Sequence, residues 1–164
     1  MEQQLAGQNL LNPSEVASYF LSKSEPGSPT EITPLKLQKL VYYAQAWHLA
    51  LTDGEIVDCD FEAWIHGPVC RELYSEYRHH GFDVIPKPLF SDNTRVNGKS
   101  KQLLDKVWNL YGDKSPKHLE QLTHREKPWK EARKGKEPHE RASNNISNDT
   151  MREYYRKLLQ KVAK

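Results

Sequence analysis

The sequence predicts a mainly α fold: a compact bundle of about six helices around one central helix, with one or two short β-strands. Three observations carry that expectation. The segment from Pro34 to about Leu51 is helix-compatible throughout and apolar around most of its circumference, as a helix with neighbours on two sides must be. The flanking segments show one-sided apolar stripes at three- and four-residue spacing, several opened by Asn, Thr or Ser followed by proline. Only the stretch from Val57 to Ala63 alternates with period two. A length of 164 residues suits one domain. We place it at 12–162, with residues 1–11 as an N-terminal extension expected to be flexible. Hydrophobic residues make up 37% of the chain, so the core is expected to be real but modest.

The first helix starts at Asn12-Pro13, with Glu15 in the capping-box position, and turns Val16, Ala17, Phe20 and Leu21 inward. The loop through Pro26, Gly27 and Pro29 ends it. The central helix begins at Thr33-Pro34. Leu37, Leu40, Val41, Ala44, Trp47, His48 and Leu51 lie on one face, and Leu35, Tyr42, Ala46, Leu49 and Ala50 cover another. Asp53-Gly54 stops it. A strand follows, with Val57, Cys59, Phe61 and Ala63 inward and Asp58, Asp60 and Glu62 facing water. His66-Gly67-Pro68 is expected to turn the chain into a third helix, with Pro68 near its first position and Val69, Cys70, Leu73, Tyr74 and Tyr77 as its stripe. His80-Gly81 closes that helix at a left-handed cap. Residues 82–98 hold two prolines and a turn-rich stretch, which fits an edge strand plus loop or a flap. Lys99 to Tyr111 is helical, with Gly112 as terminator, and Ser115-Pro116 opens a short helix carrying Leu119 and Leu122. Residues 123–145 are polar and basic-leaning and are expected to be only partly ordered. Ser147 caps the last helix, striped by Met151, Tyr154, Tyr155, Leu158, Leu159 and Val162. That stripe suits a homo-oligomer as well as the core.

Several function classes lose support at once. No apolar run approaches the ~18 residues of a membrane span. The N-terminus has no basic start followed by an apolar stretch, and two cysteines do not make a disulfide framework, so a cytoplasmic protein with no membrane association is expected. A net charge of +2 is far from that of a dedicated nucleic-acid binder. The charges are uneven: Asp53, Glu55, Asp58, Asp60 and Glu62 form an acidic stretch, while Arg152, Arg156, Lys157, Lys161 and Lys164 make the C-terminus basic. Opposite-signed regions of this kind can steer a charged partner.

Candidate chemistry is thin. Cys59, His66 and Cys70 have separations that zinc accepts, but local zinc sites use close pairs, so no metal and no cofactor are expected. Asp58, Asp60 and Glu62 resemble the start of a calcium loop but lack its glycine, and an exposed strand face accounts for them. There is no nucleophile elbow, P-loop or dinucleotide glycine pattern. Two stretches stand out, residues 63–69 and 122–129, each combining a histidine, a proline and a tryptophan at a helix edge. Either they plug the core through Trp64 and Trp129, or they build a shared contact surface. The candidate partner-binding residues are Asp58, Asp60, Glu62, His66, His124, Arg125 and Trp129.

These same residues carry a resemblance. Leu37-Gln38-Lys39-Leu40, Tyr42-Tyr43-Ala44-Gln45, Trp47-His48, Phe61-Glu62-Ala63-Trp64 and His66-Gly67-Pro68-Val69 look like the signature of the Panacea antitoxin domain, also called SocA-like or GepA-like, which is widespread in bacteria and their phages. Leu122-Thr123-His124 with Pro128-Trp129 resembles its second block, and Ile146-Ser147 its third, so the likeness spans roughly residues 12–160. The resemblance implies a non-enzymatic antitoxin that neutralises a cognate protein toxin by direct binding. Family members pair with toxins of unrelated kinds, including alarmone-synthetase-like toxins that arrest translation. Some SocA-like members act instead as adaptors that deliver the toxin to a protease. A small enzyme that reverses the toxin's modification through His66 or His124 is the other alternative. Relatives that repress their own promoter carry an added helix-turn-helix. None is expected beyond the shared domain here, so direct DNA binding is not anticipated.

Overall fold

The computed structural model describes residues 10–91 and 93–163, and it is organised around the helix that the sequence marks as central. We number its helices α1 to α7. Thr33 opens α2 (Pro34–Thr52) by accepting the Lys36 amide at 3.3 Å, and Pro34 occupies the first position. The helix stops where Asp53 adopts a left-handed φ of 68°. Every residue from Lys36 to Ala46 is buried, including Lys36, Gln38, Lys39 and Gln45. A buried polar side chain must find partners, and all four find main-chain groups. The Lys36 ammonium donates to the carbonyls of Gly112 (2.6 Å) and Pro29 (3.1 Å). Gln45 accepts the amides of Ile56 and Val57 and donates to the Val57 carbonyl. Gln38 pairs with both the amide and the carbonyl of Cys70, and Lys39 donates to the Pro68 carbonyl at 3.2 Å.

Around α2 lie α1 (Pro13–Lys23), α4 (Gly98–Tyr111), α5 (Pro116–Arg125) and α7 (Asn148–Ala163), with α3 (Arg71–Tyr77) and α6 (Lys127–Ala132) filling the corners. Seven helices are therefore present among the described residues, with one two-stranded sheet, as a mainly α fold with short strands requires. The caps read from the sequence operate: Glu15 accepts the Asn12 amide (2.9 Å) and Ser115 accepts that of His118 (3.0 Å). The expected extension over residues 1–11 is ordered at its end, because Leu11 is buried and bridges Val57 in parallel. Residues 1–9 and the side chain of Val162 lie outside what the structure describes.

Three expectations are corrected. First, Pro68 does not start a helix. Gly67–Cys70 is a strand, β2, antiparallel to β1 (Phe61–Trp64) in the register Phe61↔Cys70 to Trp64↔Gly67, and α3 begins only at Arg71. The Gln38 amide holds the outer edge of β2 as a third strand would. Asp58 and Asp60 precede β1 and so do not share a wet strand face with Glu62. Second, residues 123–145 are ordered. Arg133 is buried, and its guanidinium gathers the carbonyls of Ala63 (3.0 Å), Glu137 (2.9 Å) and Glu140. Asn144 and Ile146 then run along β1, receiving the Ala63 amide at 2.9 Å and donating to the Phe61 carbonyl at 2.7 Å. Third, Leu51 and Tyr74, expected to face inward, are 47% and 43% exposed.

The opposed charges of the two regions partly cancel within the chain. Asp53 pairs with Arg152 and Arg156 of α7, and Glu55 accepts from Asn148. Residues 82–91 and 93–97 form an irregular connection pinned where Ile85 is buried and donates to the Ile32 carbonyl at 2.8 Å.

Gly67 is the tightest point of the hairpin. Its φ is +114°, and a Cβ there would stand 2.5 Å from Cε of Lys39 and 2.9 Å from the Thr123 hydroxyl. Gly67→Ala is expected to cost roughly 2 kcal/mol or more. The measurement is a lower urea midpoint at unchanged slope.

Candidate functional site

The two histidine–proline–tryptophan stretches meet. The hairpin turn Ile65-His66 brings the first against the α5–α6 corner that carries the second. Trp129, 5% exposed, donates its indole N–H to the Trp64 carbonyl at 2.8 Å, and its ring stacks on His124 (4.2 Å between centroids). The Arg133 guanidinium lies over the same ring at 4.8 Å. Trp129 is thus a plug that joins hairpin to corner, which corrects its place among the surface contacts.

His66 projects from the turn with its side chain 66% exposed, and Nδ1 sits 2.6 Å from a Glu120 carboxylate oxygen whose side chain is only 11% exposed. Behind this pair lies Lys39, fully buried. Burial lowers its pKa to about 7 even though Glu120 pulls the other way. His124 Nε2 is buried with no hydrogen-bond partner, and desolvation lowers the pKa of that imidazole. Such an arrangement presents one oriented, solvent-facing imidazole backed by a carboxylate. Among the described residues no three His, Cys, Asp or Glu side chains converge as a metal site.

The remaining predicted residues divide. Glu62 is not a free acid: it accepts from the Trp64 indole (2.9 Å) and pairs with Arg71 (2.6 Å). Asp58, Asp60 and Arg125 are exposed, and among the described residues none of them forms an ion pair. Trp64 separates two concave surfaces. One, of about 450 Å³, runs between the start of α2 and α3; the other, of about 570 Å³, lies between the hairpin and Arg141–Ser143.

Sequence reasoning missed Lys39, Glu120 and Glu126. The available signal was their polarity: a helix apolar on two faces leaves no wet side for Lys39. Glu126, at the start of α6, accepts from the hydroxyls of Tyr43 (2.8 Å) and Tyr155 (2.7 Å). Burial raises its carboxyl to about 7, against the two hydrogen bonds that favour its ionised form. Tyr43 also stacks on Tyr111 at 4.1 Å, and Tyr111 accepts from the Trp47 indole at 2.9 Å.

The fold and site define a small helical domain in which a buried helix, through a few buried polar side chains, carries a β-hairpin. The chain belongs to the family described as antitoxin SocA-like, Panacea domain, whose profile matches residues 37–130, more than half of its 164 residues. That span holds α2 from its fourth residue on, the hairpin and both histidine–proline–tryptophan stretches, and it is narrower than the likeness read from the sequence. Membership supports an antitoxin role and a toxin as partner. No match is found among curated proteins or solved structures. No helix among the described residues is long and apolar enough to cross a membrane.

The Glu126 carboxyl predicts a pH dependence. Its folded pKa lies above its unfolded value of 4.5, so its stabilisation is fully present below about 4.5 and is lost as pH rises towards about 7. Lys39, lowered from 10.5 to about 7, acts only above that window. Glu126→Gln keeps an acceptor for the two tyrosines and is expected to flatten the melting temperature against pH between those limits. An unchanged profile would assign the slope to other groups.

Proposed function

We propose that this chain neutralises a protein toxin by binding it directly, through the exposed face built where the hairpin turn meets the α5–α6 corner. The observation that carries the reading is the join itself: a solvent-facing His66 is held by Glu120 of α5, both inside the span that matches the family. On the surface shared with the exposed imidazole, the half-buried Trp64 and the exposed Arg71, whose guanidinium lies 5.6 Å from the Trp64 ring, are residue types that concentrate binding energy in protein interfaces. Arg125, at the end of α5, is a candidate polar contact beside it, and Asp58 and Asp60, at the end of β1 away from the turn, are candidates for a wider contact. Delivery of the toxin to a protease would use the same complex and differs only in the fate of the bound toxin.

Two measurements test this reading. Titrated against a fixed amount of toxin, a binder abolishes activity at an equimolar endpoint, whereas an enzyme that reverses the toxin's modification does so substoichiometrically. His66→Ala is expected to weaken toxin binding by about tenfold with the chain still folded, its melting temperature falling only slightly as the Glu120 carboxylate loses its partner. Catalytic turnover of the modification would overturn the proposal.

A further inference from the structure

The groove beside α3 is the more apolar of the two concave surfaces, and its chemistry describes an occupant. We propose that the groove between the start of α2 and α3 receives an amphipathic helix of the toxin, apolar face inward and a carboxylate at its edge. This rests on the direct-binding reading above and names the part of the toxin involved.

The groove holds about 450 Å³ and is walled by Leu35, Leu37, Val69, Leu73, Tyr74 and Tyr77. On the α3 side, residues 73, 74 and 77 recur at helical spacing, so the wall is one stripe, and Tyr74 in it is 43% exposed. At the end of that stripe stand Phe82, which is 92% exposed, and Arg78. The connection continuing from Phe82 carries Leu89 and Phe90, also more than nine-tenths exposed. Phe82 and Tyr74, left in water along an apolar groove, mark a surface that binds something apolar.

Charge and backbone chemistry identify what binds. Arg78 lies over the Tyr74 ring at 5.9 Å, and among the described residues it has no carboxylate within ion-pair distance. Its α3 neighbour Glu76 is turned to Ser14, which donates to it at 3.0 Å. The rim therefore offers an unneutralised guanidinium to a partner's carboxylate. The hairpin beside the groove has no main chain to offer, because Gln38 occupies the edge of β2 and residues 144–146 occupy that of β1. An occupant whose own backbone is internally satisfied fits, and a helix is that occupant.

The test uses the full chain co-expressed with the product of the adjacent reading frame as the toxin. Phe82→Glu and Arg78→Glu alter exposed side chains and are expected to leave the melting temperature unchanged while weakening toxin binding by about a hundredfold and about tenfold respectively. Hydrogen exchange of the wild-type complex is expected to slow across residues 71–90. If the wild-type complex forms but both variants bind as tightly and protection falls elsewhere, the groove assignment is overturned and direct binding stands. If the wild-type chain rescues growth yet forms no complex, direct binding itself fails and the groove assignment with it. If Phe82→Glu converts a dimer of the chain alone to monomer and leaves toxin affinity unchanged, the groove belongs to a second copy and the proposal is wrong.

Discussion

One helix supplies main-chain partners to parts of the molecule that have no ladder of their own. A two-stranded hairpin is marginal alone in water, and the segments at 29, 56–57 and 112 belong to no sheet. Each buried amide or carbonyl left unpaired would cost on the order of 1–3 kcal/mol. Lys36, Gln38, Lys39 and Gln45 remove that cost from inside the core, reaching backbone on both sides of α2. Their polarity is what lets so small a sheet and so many irregular connections coexist with a compact interior.

A second layer ties this scaffold to α7. The carboxyl of Glu126 is shared by Tyr43 from the central helix and Tyr155 from the last helix, and Tyr155 also lies 3.2 Å from the Tyr42 hydroxyl. Tyr155 stands outside the span that matches the family, yet it completes the shell around a carboxyl inside it. The matched segment is therefore not chemically closed. It borrows a hydroxyl from the C-terminal helix, just as Asp53 borrows the guanidinium groups of Arg152 and Arg156.

Local signals were legible where local physics decides. Proline after Asn12, Thr33 and Ser115 marked helix starts, because fixed φ and a side-chain acceptor act within one turn. The same rule misread Pro68, where pairing with β1 and the reach of Gln38 to Cys70, 32 residues on, outweigh a helix-start preference. Order in residues 123–145 was hidden for a related reason: Arg133 binds carbonyls, which every residue has, so no side-chain pattern announces them. The acidic stretch looked like one free face because its partners, Arg71, Asn148 and the α7 arginines, are invisible to periodicity. The meeting of His66 with Glu120 is likewise a tertiary event, although both tryptophan-bearing corners were visible as anomalies.

The way Arg133 holds residues 137–140 bears on how such a domain can change over generations. A guanidinium that grips carbonyl oxygens is blind to the identity of the residues presenting them, and the side chains from Lys134 to Arg141 all lie in solvent. The arginine's hold is independent of most of those side chains; the exceptions are Gly135, whose φ is 79°, and Glu140, whose carboxylate accepts the Glu137 amide. It borders the concave surface on the far side of Trp64, which Arg141 helps to line. Here, drift in the exposed residues can rewrite the surface without disturbing the packing beneath it.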